Sequence, residues 1–234
     1  MVNMAGRPVI WSICNNMNTT ICFLGFSRNY LALAFNSLRE NGHTGAVKII
    51  KNVDVPEEDI PFDCGLDYEI VDAEAYRRKP EDRYLFAVSG PLIKRKIYES
   101  FLQSHQISRE AYTNLVHHSV QVGQTTELNS GIYIEPGTVL APYSKIGFGA
   151  TINRSVSVGH HTQIGDFSTL NPGTHIAGQC QVGADCAIGI GSVMFDRLSV
   201  GARSVVGGGS AVTKDIPASV LAYGSPCRPV KQLS

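Results

Sequence analysis

Val158-Gly-His-His-Thr-Gln-Ile164-Gly-Asp-Phe-Ser-Thr-Leu170 holds three aliphatic residues six apart, two of them followed by glycine. Extending the step of six in both directions, from Val122 to Val212, meets sixteen positions, and every one is Val, Leu, Ile or Met. Glycine follows the aliphatic in eight of them, at 123, 147, 159, 165, 183, 189, 201 and 207. Two places before the aliphatic the residue is mostly small, as at Ser144, Ala150, Thr162, Ser168, Cys180 and Ser204. A period of six is neither helix nor long strand. It describes a short flat strand and a tight turn, with one large and one small residue facing inward and the glycine relieving the turn. Three such units close a triangular coil of eighteen residues, and stacked coils bury a continuous aliphatic column. The pattern predicts a parallel β-helix of about five coils. Strict sixes point to the left-handed kind, an exception to the usual right-handed crossover. Cys180 and Cys186 fall in consecutive small inward slots and read as packing residues.

Upstream of the repeat the composition changes. Residues 1–113 hold 27 of the 40 Asp, Glu, Lys and Arg residues, which sets a boundary near Asn114 and divides the chain into 1–113 and 114–234. The first part alternates strand and helix signals. Thr20–Gly25, Ala46–Ile50 and Tyr84–Val88 are strand candidates. Ser27 can cap a helix through Tyr30, Leu31, Ala34, Phe35 and Leu38 that stops near Gly42, and Pro91 opens another with Ile93, Ile97, Phe101 and Leu102 on one face. That order is the grammar of a small parallel α/β unit.

Composition excludes several function classes. Twenty basic and twenty acidic residues cancel, so no basic footprint serves a nucleic acid or an anionic membrane. No apolar run approaches a membrane span, and Pro8–Cys14 is too brief for a signal peptide. The six cysteines (14, 22, 64, 180, 186 and 227) contain no C-x-x-C pair, so free thiols and a cytoplasmic setting are expected.

Chemistry has to come from sites mounted on the scaffold. His160 and His161 sit two and three places after an inward aliphatic, at a corner of the coil. An imidazole there suits a general base, because its unperturbed pKa lies near neutrality; an exposed polar turn is the bland alternative. Gly207-Gly-Gly-Ser-Ala-Val-Thr-Lys-Asp215 closes the repeat, and its glycines admit a long thin ligand to the backbone or simply form the exit.

Four segments carry a resemblance: Val158–Phe167, Ala177–Gly183, Gly207–Asp215 and Gly224-Ser-Pro226. With the Phe86-Ala-Val-Ser-Gly90 segment and the basic Lys94-Arg95-Lys96, they resemble the hexapeptide-repeat sugar acetyltransferases of the sialic-acid and bacillosamine type. The resemblance implies a Rossmann-like domain before a left-handed β-helix, and acetyl transfer from acetyl-CoA to a sugar. The acceptor implied is the amino group of a nucleotide-linked aminosugar; O-acetylation of a sialic-acid-like sugar and a non-catalytic trimeric scaffold are the alternatives. It implies His160 as base with His161 beside it, acetyl-CoA contacts at Thr169, Gly178, Ile190 and Gly208, acceptor contacts at Gly25, Ser27 and Arg28, and a homotrimer with the site between subunits. The zinc-binding relatives use His-x-x-x-x-His, which the histidines here do not reproduce, so no metal is expected. Three departures stand out. His161 replaces the usual Glu or Asp, Thr169 stands where a relative has histidine, and Gly25-Phe-Ser-Arg-Asn-Tyr30 replaces Gly-x-x-Gly-His-Gly.

Overall fold

The computed structural model describes residues 19–54 and 65–233. The Pro8–Cys14 run, Cys14 and Cys64 lie outside them. Four parallel strands, β1 (Ile21–Leu24), β2 (Val47–Lys51), β3 (Tyr68–Asp72) and β4 (Arg83–Phe86), form a sheet in the order β3-β2-β1-β4. Helix α1 (Arg28–Glu40) follows β1, and α2 (Pro91–His105) follows β4; α2 buries Lys94, Ile97 and Phe101, whereas Ile93 and Leu102, expected on the same face, are exposed. Ser27 occupies the N-cap of α1 in extended conformation without a side-chain capping bond, and α1 ends at Asn41 just before Gly42 (φ 76°). The sequence reading missed β3: it is an edge strand with no fully buried residue, so its apolar alternation is weak.

From Leu115 onward the chain is a left-handed β-helix of two-residue strands spaced six apart. The repeat begins one unit earlier than Val122, with the strand Leu115–Val116. Strands stack in parallel at eighteen-residue intervals, for example Ile146 on Ile164 and Ile164 on Val182. Three faces result. Face A carries Leu128, Ile146, Ile164, Val182 and Val200; face B carries Ile134, Ile152, Leu170, Ile188 and Val206; face C carries Leu140, Val158, Ile176, Met194 and Val212. These side chains form one apolar column, with Val122 and Leu128 only partly covered in the first coil. Val220–Tyr223 extends face B, and Arg228–Gln232 pairs with it antiparallel to finish the fold.

The small inward residues hold each coil to the next. Thr162 Oγ1 donates to Ala177 O (2.9 Å), Ser168 Oγ to Gly183 O (2.8 Å) and Ser192 Oγ to Gly207 O (3.0 Å). Cys180 and Cys186 occupy the same slot and donate Sγ–H to Phe195 O and Gly201 O, at 3.0 and 3.1 Å. Burial pushes the Cys186 thiol up to about 11, so it remains a protonated donor.

The glycines after the inward aliphatics do not relieve the turn, contrary to expectation. Left-handed φ falls two residues later, at Tyr143, His161, Phe167, Gly173, Gly191 and their equivalents. A Cβ on Gly189 would instead lie 2.4 Å from Gly208 N in the next coil, whereas one on Gly191 (φ 63°) meets nothing within 4 Å. Gly189→Ala is therefore expected to lose ~1–3 kcal/mol of unfolding free energy by overpacking, and Gly191→Ala ~1–2 kcal/mol from backbone strain alone. Urea unfolding checks both; only the first should also perturb the neighbouring coil by amide exchange.

The α/β unit is seated on face B and on the vertex between faces A and B. Two of the three apolar cores cross that seam: one joins Phe23, Leu31 and Phe35 to Leu115 and Tyr133, the other joins Phe86, Ile97, Phe101 and Tyr112 to Phe148 and Phe167. Arg95 grips Asp185 through both carboxylate oxygens and stacks on Phe167, and Arg109 pairs with Asp166 and stacks on Phe148.

Candidate active site

His160 and His161 lie at the vertex between faces C and A, both exposed. Their rings meet edge to face with Nδ1 to Nδ1 at 3.0 Å. His161 adopts φ 59°, a region that histidine tolerates better than most residues, and its ring stacks on Tyr143 of the preceding coil, 4.7 Å between centroids and 21° between planes. His160 lies over Gly178 of the following coil, where a Cβ would stand 2.7 Å from His160 Nε2. Gly178 is thus the floor that makes room for the imidazole.

A contact between two Nδ1 atoms needs one proton between them, so the two neutral rings hold opposite tautomers. If His160 donates, its Nε2 keeps a free lone pair and His161 carries its proton on Nε2.

The other expected residues fall elsewhere. Ile190 and Gly208 occupy the vertex between faces B and C, one coil apart. Ile190 is 62% exposed, and Gly208 lies close against it, its ideal Cβ being 3.0 Å from Ile190 Cγ2. Ser27 and Arg28 open α1 at the carboxyl end of β1. Gly25, also there, is buried at φ 92°, and a Cβ on it would meet Ile97 Cδ1 at 2.7 Å; it lets α2 pack close and its amide is spent on Ile50 O. Thr169 does not fit the expected role. It is 3% exposed, and its hydroxyl donates to Ser89 O in the interdomain seam, so no surface of it faces a cofactor. The sequence reading missed Lys94, which is fully buried there and donates to Gly149 O (2.7 Å) and Thr151 Oγ1 (2.9 Å); burial without a paired carboxylate pulls its ammonium well below the ordinary lysine range.

Two further features do not coincide with these residues. A shallow groove along face A is lined by Glu127, Lys145, Gln163, Gln181 and Ser199 and contains none of them. Glu40, His117 and His118 form the one cluster of three possible metal donors among the described residues. There the backbone N–H of Ser119 points at His117 Nδ1 (3.2 Å), which leaves Nε2 to donate to Glu40 Oε2 (2.5 Å). The cluster is satisfied as a hydrogen-bonded clamp between α1 and the first coil.

No protein-family model matches the chain, and no curated protein matches it. Solved structures do. Caulobacter crescentus PerB, solved with CoA and GDP-perosamine, is 25% identical, over 92% of this chain and 97% of its own, with a TM-score of 0.75. The acetyltransferase domain of Neisseria gonorrhoeae PglB, solved with acetyl coenzyme A, is 18% identical over 91% and 100%, at a TM-score of 0.77. WeeI from Acinetobacter baumannii is 20% identical over 91% and 99%, at 0.70. The chain has the architecture these proteins share, a Rossmann-like unit followed by a left-handed β-helix.

Long-range 15N NMR of the imidazoles checks the histidine pair. His160 should show the Nδ1–H tautomer near neutral pH, and His161→Ala should return it to the Nε2–H form that predominates for free histidine in water.

Proposed function

We propose that this protein transfers the acetyl group of acetyl-CoA to the amino group of a nucleotide-linked aminosugar, with His160 as general base. The observation that carries the reading is the His160 ring, held at Nδ1 by His161 and floored by Gly178, at the edge of a fold shared with proteins crystallised with CoA, acetyl coenzyme A or GDP-perosamine. PerB was also crystallised as variants with one histidine changed to Asn or Ala.

In the proposed reaction the sugar nitrogen attacks the thioester carbonyl. As the C–N bond forms, His160 Nε2 takes the nitrogen's proton, and a backbone amide holds the oxyanion. The C–S bond then breaks, and the proton passes to the leaving thiolate. His161, neutral, accepts the His160 Nδ1–H and fixes the tautomer. An acidic partner would also raise the base's pKa by charge; a neutral ring supplies orientation alone.

The separation of the expected residues favours a trimer. Within one chain the base lies at the vertex opposite face B, where the α/β unit sits, while Ile190 and Gly208 lie at a third place. Only a neighbouring subunit can bring these together. Face C, between the two vertices, is suited to that contact. Its outward residues Val139, Ser157, His175, Val193 and Ala211 include no Asp, Glu, Lys or Arg, and exposed Tyr143, Phe195 and Ile190 flank it. In this reading Gly178, Ile190 and Gly208 line the acetyl-CoA arm.

The acceptor is assigned to the crevice at the carboxyl ends of β1 and β4, where the strand order reverses. Ser27 and Arg28 lie there, Gly25 shapes it from behind, and the first turns of α1 and α2 hold no acidic residue, which suits a phosphate. No described helix is long and apolar enough to cross a membrane. Cys22, Cys180, Cys186 and Cys227 are free thiols, in keeping with the proposed cytoplasmic setting.

CoA release from acetyl-CoA, measured with a panel of nucleotide-linked aminosugars, tests the reading. His160→Ala is expected to lose at least ~100-fold in kcat, and Gly178→Ala to lose activity with the fold intact, because its methyl displaces the ring. A wild-type rate in His160→Ala removes the base assignment; no release with any acceptor favours a scaffold.

A further inference from the structure

We infer that Lys94, Thr151 and Thr169 are positioning residues that lock both walls of the β1/β4 crevice onto face B of the β-helix. The inference rests on the acceptor reading of that crevice. Thr151 and Thr169 are register partners, one coil apart, both pointing out of face B into the seam. Their exposures are 1% and 3%, and Lys94 has none.

The direction of each bond follows from donor chemistry. Ser89 O can only accept, so it takes the one hydroxyl proton of Thr169, and Thr169 Oγ1 accepts from Lys94 Nζ (3.3 Å). Ser89 and Gly90 form the turn between β4 and α2, and Gly90 is the N-cap of α2. Lys94 Nζ also reaches Thr151 Oγ1 (2.9 Å), Gly149 O (2.7 Å) and Ser168 O (3.4 Å). Thr151 also lies beside the phenol of Tyr30, in the first turn of α1. Thr169 therefore holds the α2 side of the crevice, Thr151 faces the α1 side, and Lys94 ties the two threonines together.

An apolar side chain would fill the seam at less desolvation cost than an ammonium without a carboxylate partner. What the lysine supplies is direction: its bonds go to neutral oxygens in two successive coils. Asp185, the nearby acid, is already engaged by Arg95.

Thr169→Val is nearly isosteric and removes only the hydroxyl. The acceptor KM is expected to rise about tenfold, in keeping with one lost buried hydrogen bond, while the KM for acetyl-CoA stays within about twofold. Thr169→Ser should restore the acceptor KM. In the acceptor-free protein, amide exchange in the 89–92 turn should speed up in Thr169→Val and return to wild type in Thr169→Ser. Thr151→Val serves as the second variant and should loosen the first turn of α1 instead. A rise in the acetyl-CoA KM alone would make Thr169 a cofactor contact and overturn the inference. So would unchanged exchange at the turn, or an equal loss in both KM values. If the wild-type protein acetylates no aminosugar, the transferase reading fails by itself, and the exchange measurements still decide whether these residues hold the crevice.

Discussion

The close approach of each coil's backbone to the next is the constraint on which the molecule depends. Parallel strands only two residues long give little cooperativity alone, so the stack relies on every rung meeting its neighbour eighteen residues away. Gly159, Gly165, Gly183 and Gly189 are required because a Cβ at any of them would lie 2.4–2.6 Å from the backbone of the following coil. The hydroxyls and thiols of the inward slot add a second coil-to-coil bond at the same level. The spacing of successive coils is thereby constrained along the prism, and a side chain at a vertex is placed by the same packing. His160 uses it directly: the ring fits because Gly178 is bare.

The α/β unit borrows its rigidity from this prism. A four-stranded sheet with two helices has a modest core, and here the core is completed by Leu115, Tyr133, Phe148 and Phe167 from the β-helix. Around that apolar seam lie directional contacts, Arg95 to Asp185, Arg109 to Asp166 and Lys94 to the threonines. The apolar part supplies adhesion without register. The polar part supplies register, because a bidentate guanidinium and an ammonium with fixed acceptors cannot slide by a residue without leaving buried groups unpaired.

The fold was legible in the sequence wherever a residue's role is set by its own coil. The step of six named the inward column from Leu140 to Val212 and placed His160 and His161 at a vertex, since both facts follow from counting. Roles set by a partner far along the chain were not legible. The glycines looked like turn residues because the coil they approach is eighteen residues on. Thr169 looked like a cofactor contact because it aligns with a site position, and nothing near it in sequence announces Ser89 or Lys94. Lys94 itself reads as one charge in a basic run, and only the packed seam shows it buried while Arg95 turns to Asp185. Edge strand β3 was lost for a related reason: half-buried, it has little apolar contrast to count.

The same distinction bears on how a transferase site can be built from this chain. A prism holds each vertex rigidly but holds its three vertices apart, so His160 at one vertex and Ile190 and Gly208 at another never meet within a subunit. Packing three prisms side by side brings unlike vertices together. It also covers the face between them, whose outward residues include no Asp, Glu, Lys or Arg. Under the proposed function, the acceptor crevice of one subunit is then aimed at His160 of another. Aim of that kind depends on how firmly the α/β unit is fixed to its own prism. Under that reading, the contacts that fix it, converging on Thr151 and Thr169, bear on transfer between subunits even though none of them touches the reacting atoms.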